Sequence, residues 1–162
     1  MDFSYNFPAV RGIQAGREYY VSMVPLKLLP RLFPSDDEIV PPECRAQRRI
    51  NESRIPEIKK YILDNRTNYV FSALSAAING EHKFIPYADG DAGILTVSME
   101  AIFLINDGQH RKSAIEEALA EDPTLENETI SVVFFSDEGL KRSQQMFTDL
   151  NKHAVKTSNS LS

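Results

Sequence analysis

Residues 101–119, AIFLINDGQHRKSAIEEAL, constrain the fold more than any other stretch of the chain. An apolar run ends in Asn106-Asp107-Gly108, and a pattern with helical spacing begins at once. A strand, a tight turn and a helix therefore follow one another within this stretch, with Gly108 tolerating positive φ and Asp107 placed to accept from the first helical N–H groups. That succession predicts an α/β domain. It also raises an electrostatic problem, because His110, Arg111 and Lys112 crowd the first turn of the helix. A helix N-terminus already carries roughly half a positive charge, so each cation there costs about 0.3–1 kcal/mol. The cluster makes electrostatic sense if an anion sits on the open backbone of Gly108, with phosphate the common occupant and Arg111 supplying a planar fork. The plainer alternative is a solvated cluster, with Asp107 offsetting the charge and Lys112 facing Glu116 one turn on.

The rest of the chain alternates element types. REYYVSMVPL (17–26) has strand composition, LKLLPRLF (26–33) suggests a short helix interrupted at Pro30, and PSDDEIVPPE (34–43) is a proline-rich acidic loop. From Ser53 the spacing of Ile55, Ile58, Ile62 and Leu63 predicts a helix with Pro56 in its first turn and Asn65 at its end. NYVFSALSAAI (68–78) is expected to be a strand, Asn79-Gly80 a hairpin turn into HKFIPY (82–87), and ADGDAG (88–93) a second turn before strands at 94–99 and 101–105. After the helix at 109–120 come a strand, TISVVFF (129–135), and a helix from about Glu138 to Lys152, capped by Asp137 or Ser136, with Leu140, Phe147 and Leu150 on one face. The expected organisation is a single domain over 1–158 and a polar tail or linker over 159–162.

Composition narrows the function. A formal charge of −5 argues against a uniformly basic coat, yet residues 45–66 hold Arg45, Arg48, Arg49, Arg54, Lys59, Lys60 and Arg66 against three acids, and 141–156 add Lys141, Arg142, Lys152 and Lys156 against Asp149. These segments could form one basic face, with Lys59 and Lys60 more simply read as solvating a helix. The single cysteine, Cys44, allows no internal disulfide and fits a reducing, cytoplasmic setting. No signal-peptide pattern and no apolar stretch of about 20 residues occurs, so no membrane is expected. His82, His110 and His153 lie far apart with no ligand-spaced partner, so no metal site is predicted, and neither a serine elbow nor a Walker loop is present.

Three blocks carry a resemblance. DGQHR at 107–111, QRRINESRIPEIKKYIL at 47–63 and FTDLNKHAVKTS at 147–158 occur in the order found in the DGQHR-domain family of bacterial DNA phosphorothioation, or DNA sulfur modification, systems. More distantly, the turn resembles that of the ParB and sulfiredoxin superfamily, where a Gly-x-His/x-Arg element binds nucleotide phosphates. Gln109 replaces the reactive cysteine of sulfiredoxins, which excludes thiol chemistry at the motif. The resemblance implies a mixed, partly barrel-like sheet flanked by helices, and a phosphate- or nucleotide-binding turn formed by Gly108, Gln109, His110, Arg111 and Lys112. It implies DNA contacts from Gln47, Arg48, Arg49, Asn151, Lys152 and Lys156. The function expected is that of a DNA-associated regulatory or accessory protein, a transcriptional regulator with promoter or modification-site DNA and other proteins of the system as partners, and ATP or another nucleotide as cofactor. The alternatives are an ATPase or DNA-nicking enzyme using Asp107 or His110, and a protein-interaction scaffold whose motif is structural. Family members are generally longer, so the chain is expected to be the N-terminal part of a larger protein.

Overall fold

The computed structural model describes residues 3–34 and 53–137, together with Gln145, Thr148 and Asp149. Seven strands form one mixed sheet: β1 (Ser4–Gln14), β2 (Arg17–Pro25), β3 (Leu74–Asn79), β4 (His82–Pro86), β5 (Ala92–Ser98), β6 (Ile102–Asp107) and β7 (Thr129–Ser136). Among the described residues they are accompanied by the α-helices α1 (Leu29–Leu32), α2 (Arg54–Asp64) and α3 (Gln109–Glu121). The α/β expectation holds. No helix among the described residues is long and apolar enough to cross a membrane.

Strand order is β4-β5-β1-β2-β7-β3-β6, with β3 and β7 parallel and every other neighbouring pair antiparallel. This order dictates the shape. β3 and β4 are five strand spacings apart in the sheet, about 24 Å if it were flat. Only Gly80 and Glu81 separate them, and three Cα steps reach about 11 Å at most. β5 and β6 stand five spacings apart as well, joined through Met99, Glu100 and Ala101. Both links close only if the sheet curls until its two ends meet. The curl stops short of a barrel, since β4 and β6 remain edge strands.

The seam between the ends is bridged by other groups. His82 reaches the Ser136 hydroxyl with Nε2 and the Gly80 carbonyl with Nδ1, both at 2.8 Å. Inside the curl, Phe7 on β1, Phe103 on β6 and Phe134 on β7 pack with centroid separations of 5.3 to 6.4 Å, and Phe33 adds an edge contact to Phe103 at 6.1 Å. Their burial is the favourable term that holds the two ends together, each large aromatic contributing on the order of 2–3 kcal/mol.

Several sequence expectations change here. Asn79-Gly80 is not a hairpin, because β3 and β4 do not pair; the dipeptide carries the chain from one end of the sheet to the other. ADGDAG does form the expected hairpin, between β4 and β5, with Tyr87 N–H bonded to the Ala92 carbonyl. The strand expected over 68–78 begins only at Leu74. β1 has no counterpart in the sequence reading. Pro30 sits in the first turn of α1, where its missing N–H costs little, rather than interrupting it. The acidic loop 34–43, apart from Pro34 at its start, Cys44, and the helix expected over 138–152, apart from Gln145, Thr148 and Asp149, lie outside the described residues.

Gly80 tests the curl. Its φ is +145°, and a Cβ there would stand 2.6 Å from the Cβ of Ala101 in the opposite link. Gly80→Ala is expected to destabilise the protein by about 1–3 kcal/mol in denaturant titration, through backbone strain and separation of the links. A change within about 0.5 kcal/mol would mean that the links do not need to touch.

Candidate functional site

The DGQHR segment forms a corner between the end of β6 and the start of α3, as the sequence pattern requires. The pairing of β3 with β6 shifts register between Ser75 and Ala76: Ser75 faces Asp107 while Ala76 faces Ile105, leaving the fully buried Asn106 as the extra residue. Bulges of this kind re-aim the residues that follow. Gly108 then takes φ +105° and ψ +20°, and α3 begins. No side chain caps the helix, and Lys112 N–H closes the first turn on the Gly108 carbonyl at 2.9 Å.

The glycine is required twice. Its φ belongs to the left-handed side of the map, and a Cβ would stand 2.4 Å from Cδ2 of Leu74 and 3.0 Å from Nη2 of Arg111. What approaches Gly108 from that side is thus the protein itself.

Arg111 is only 17% exposed. Nη1 donates to the Ser72 carbonyl at 2.8 Å, the Ser72 hydroxyl at 2.6 Å and the Ala73 carbonyl at 3.2 Å, and Nη2 reaches the Asp107 carboxylate at 3.3 Å. The guanidinium therefore straps three separate pieces of chain: the approach to β3, the end of β6 and the first turn of α3. Lys112 is buried, with its ammonium 2.8 Å from the Glu116 carboxylate, the pairing that helical spacing suggests. Gln109 turns back to donate to the Ile105 carbonyl at 3.1 Å. His110 is half-buried with Nε2 closed off from solvent. Much of the positive charge crowding the helix start is answered from within the chain.

The structure thus brings Asp107, Gly108, Gln109, His110, Arg111 and Lys112 into one corner. Gln47, Arg48, Arg49, Asn151, Lys152 and Lys156 lie outside the described residues. Of the described basic residues in 45–66, Lys59, Lys60 and Arg66 carry acidic partners. Lys60 pairs with Asp64 at 2.6 Å, Lys59 crosses to Glu121 on α3 at 2.6 Å, and Arg66 holds Asp122 at 2.7 Å and Glu128 at 3.0 Å. Lys59 therefore binds α2 to α3 and does more than solvate its helix. Asp122 is held below the ordinary carboxylate range, first by the Thr124 hydroxyl and then by Arg66. Among the described residues no three His, Cys, Asp or Glu side chains stand together as a metal would require. Sequence reasoning missed Ser72 as a partner of the motif; nothing in its local pattern points across the fold to Arg111.

Arg111→Ala is expected to cost about 2–4 kcal/mol in denaturant titration, since it removes charge-assisted bonds and leaves carbonyls unpaired. Arg111→Lys should recover less than half of the loss, because an ammonium cannot span the partners a fork can. A variant as stable as the parent would show that the strap contributes nothing.

The comparisons agree with the motif blocks. No curated protein and no solved structure matches the chain. The family model for DndB, described as DNA-sulfur modification-associated, matches residues 7–162, from within β1 to the last residue. The match runs through the described corner, both basic segments and all three blocks that resemble DGQHR-domain proteins, so the chain belongs to the DndB family of DNA-sulfur modification-associated proteins.

Proposed function

We propose that this chain is a DNA-associated regulatory or accessory protein of a DNA sulfur modification system, acting as a DNA-binding transcriptional regulator. The observation that carries the reading is the family match across residues 7–162, which ties the whole domain to that system. The fold supports a division of labour. With Lys59, Lys60 and Arg66 engaged by acids, contact with the DNA backbone falls to Gln47, Arg48, Arg49, Asn151, Lys152 and Lys156. At the corner, α3 starts without a side-chain cap, so phosphate from a nucleotide such as ATP, or from DNA, would be held by backbone N–H groups of the first turn with His110 beside them. Arg111 would act there by fixing the backbone, since its own donors are engaged.

A second reading has one specific observation in its favour. The strap made by Arg111 explains Asp107, Gly108 and Arg111 without any ligand, which suits a protein-interaction scaffold whose motif is structural. The two readings separate on binding to the promoter DNA of the chain's own gene cluster, measured at several salt concentrations. The regulatory reading expects a log–log salt slope that flattens by about one unit for each phosphate contact removed, and therefore by about two in an Arg48→Ala/Arg49→Ala variant, with affinity falling alike for all sequences. Unchanged affinity and slope in that variant would contradict the assignment of this face.

A further inference from the structure

Away from the DGQHR corner, a cleft of about 670 Å³ opens between the stretch that follows α2 and the stretch that leads into β7. Its walls include Tyr69 and Phe71 on one side, Asn127, Glu128 and Ser131 on the other, and the thioether of Met23. It shares no residue with the DGQHR motif. We propose that this cleft binds a nucleobase carrying an exocyclic amino group, guanine above all, either as a free nucleoside or as an unpaired base of a nucleic-acid strand.

The size is that of a small-molecule site, and the lining is polar for the greater part, with the rings of Tyr69 and Phe71 and the thioether of Met23 as its apolar surfaces. Phe71 is half-buried and fixed by two aromatic neighbours, Tyr69 at 5.6 Å and Tyr61 at 5.8 Å between centroids. A planar heterocycle is the ligand that such rings hold best. The polar groups then choose among heterocycles. Glu128 is oriented from two sides, by Arg66 at 3.0 Å on one oxygen and by the Tyr69 hydroxyl on the other. Burial, then the bond to Glu128, pushes the Tyr69 phenol up to about 12, so at neutral pH it remains a donor. Each carboxylate oxygen keeps a second acceptor position. Guanine offers adjacent N–H donors to such a group, and cytosine and adenine offer an amino group, whereas thymine presents carbonyl oxygens on both sides of its single N–H.

Charge excludes the other obvious occupant. Arg66 is the cation in the lining, and its guanidinium already serves Asp122 and Glu128, leaving two carboxylates to one positive charge. A phosphate would meet net repulsion there. The base itself, and not its phosphate, is what the cleft can recognise.

Free nucleosides test the cleft independently of the regulatory reading. Amide resonances of the full chain are followed during separate titrations with deoxyguanosine, thymidine and inorganic phosphate, and then with short single strands of deoxyguanosine-rich and thymidine-only sequence. Deoxyguanosine should move amides in 66–71 and 127–131, thymidine should need roughly tenfold higher concentration or more, and phosphate should leave these amides unmoved. Phe71→Ala should weaken binding about tenfold, the usual effect of losing one stacking ring. Ser131→Tyr, a change on a half-buried strand position, should fill the cleft and abolish the shifts while circular dichroism confirms the fold. Shifts seen only with the guanine-bearing strand support recognition of the base within a strand. Equal response to thymidine, shifts that persist in Ser131→Tyr, or no shift with either nucleosides or strands would each overturn the proposal. Loss of promoter binding in the Arg48→Ala/Arg49→Ala variant with these shifts intact would support a base site separate from the DNA face.

Discussion

Two short links hold this architecture in place. Gly80-Glu81 and Met99-Glu100-Ala101 each join strands five spacings apart in the sheet order, and chains that short cannot cross a flat sheet. The curl is thus a consequence of connectivity, and the phenylalanine cluster inside it is what makes the curl favourable. Everything else is placed by it. β6 is delivered to the free edge beside β3, so its last residues meet the approach to β3, and the DGQHR corner assembles where those two segments converge.

At that corner the electrostatics are resolved locally. The unfavourable placement of cations at a helix start is offset by contacts that hold Arg111 over Ser72, Ala73 and Asp107, and Lys112 over Glu116. Gly108 is glycine because its φ is +105° and because Leu74 and Arg111 occupy the space a Cβ would need. A motif can therefore brace the fold and still begin a helix that no side chain caps. The strap is compatible with the proposed phosphate site, where Arg111 would set the geometry and the helix start would offer the donors.

Much of this was legible in the sequence wherever the signal is local. The β6–Gly108–α3 succession, α2 with its end at Asn65, the ADGDAG hairpin and β7 all follow from periodicity and turn chemistry. Asn79-Gly80 was misleading because turn propensity reports backbone conformation and not strand pairing; Gly80 at φ +145° is far from the geometry of a two-residue hairpin. Residues 68–73 have strand composition but no ladder. The Val70 N–H donates to the Tyr61 hydroxyl, and the Ser72 and Ala73 carbonyls accept from Arg111, so the backbone groups a neighbouring strand would use are taken. β1 escaped because Pro8 and the exposed polar ends obscure its alternation, although Phe7 and Ala9 face inward. At the candidate site the motif residues were identified, but the direction of Arg111 was not, since its partners lie 38 and 39 positions away.

Arg111 points into the protein and fixes the corner, so that any anion would meet the backbone. Nitrogen-detected spectra of the Arg111 guanidinium, recorded with and without inorganic phosphate, address this placement directly. Separate, slowly exchanging Nη signals should stay in place as phosphate is added, with any phosphate response confined to the amides of residues 109–111. A rapidly rotating, averaged guanidinium, or Nη signals that follow the phosphate titration, would contradict that placement.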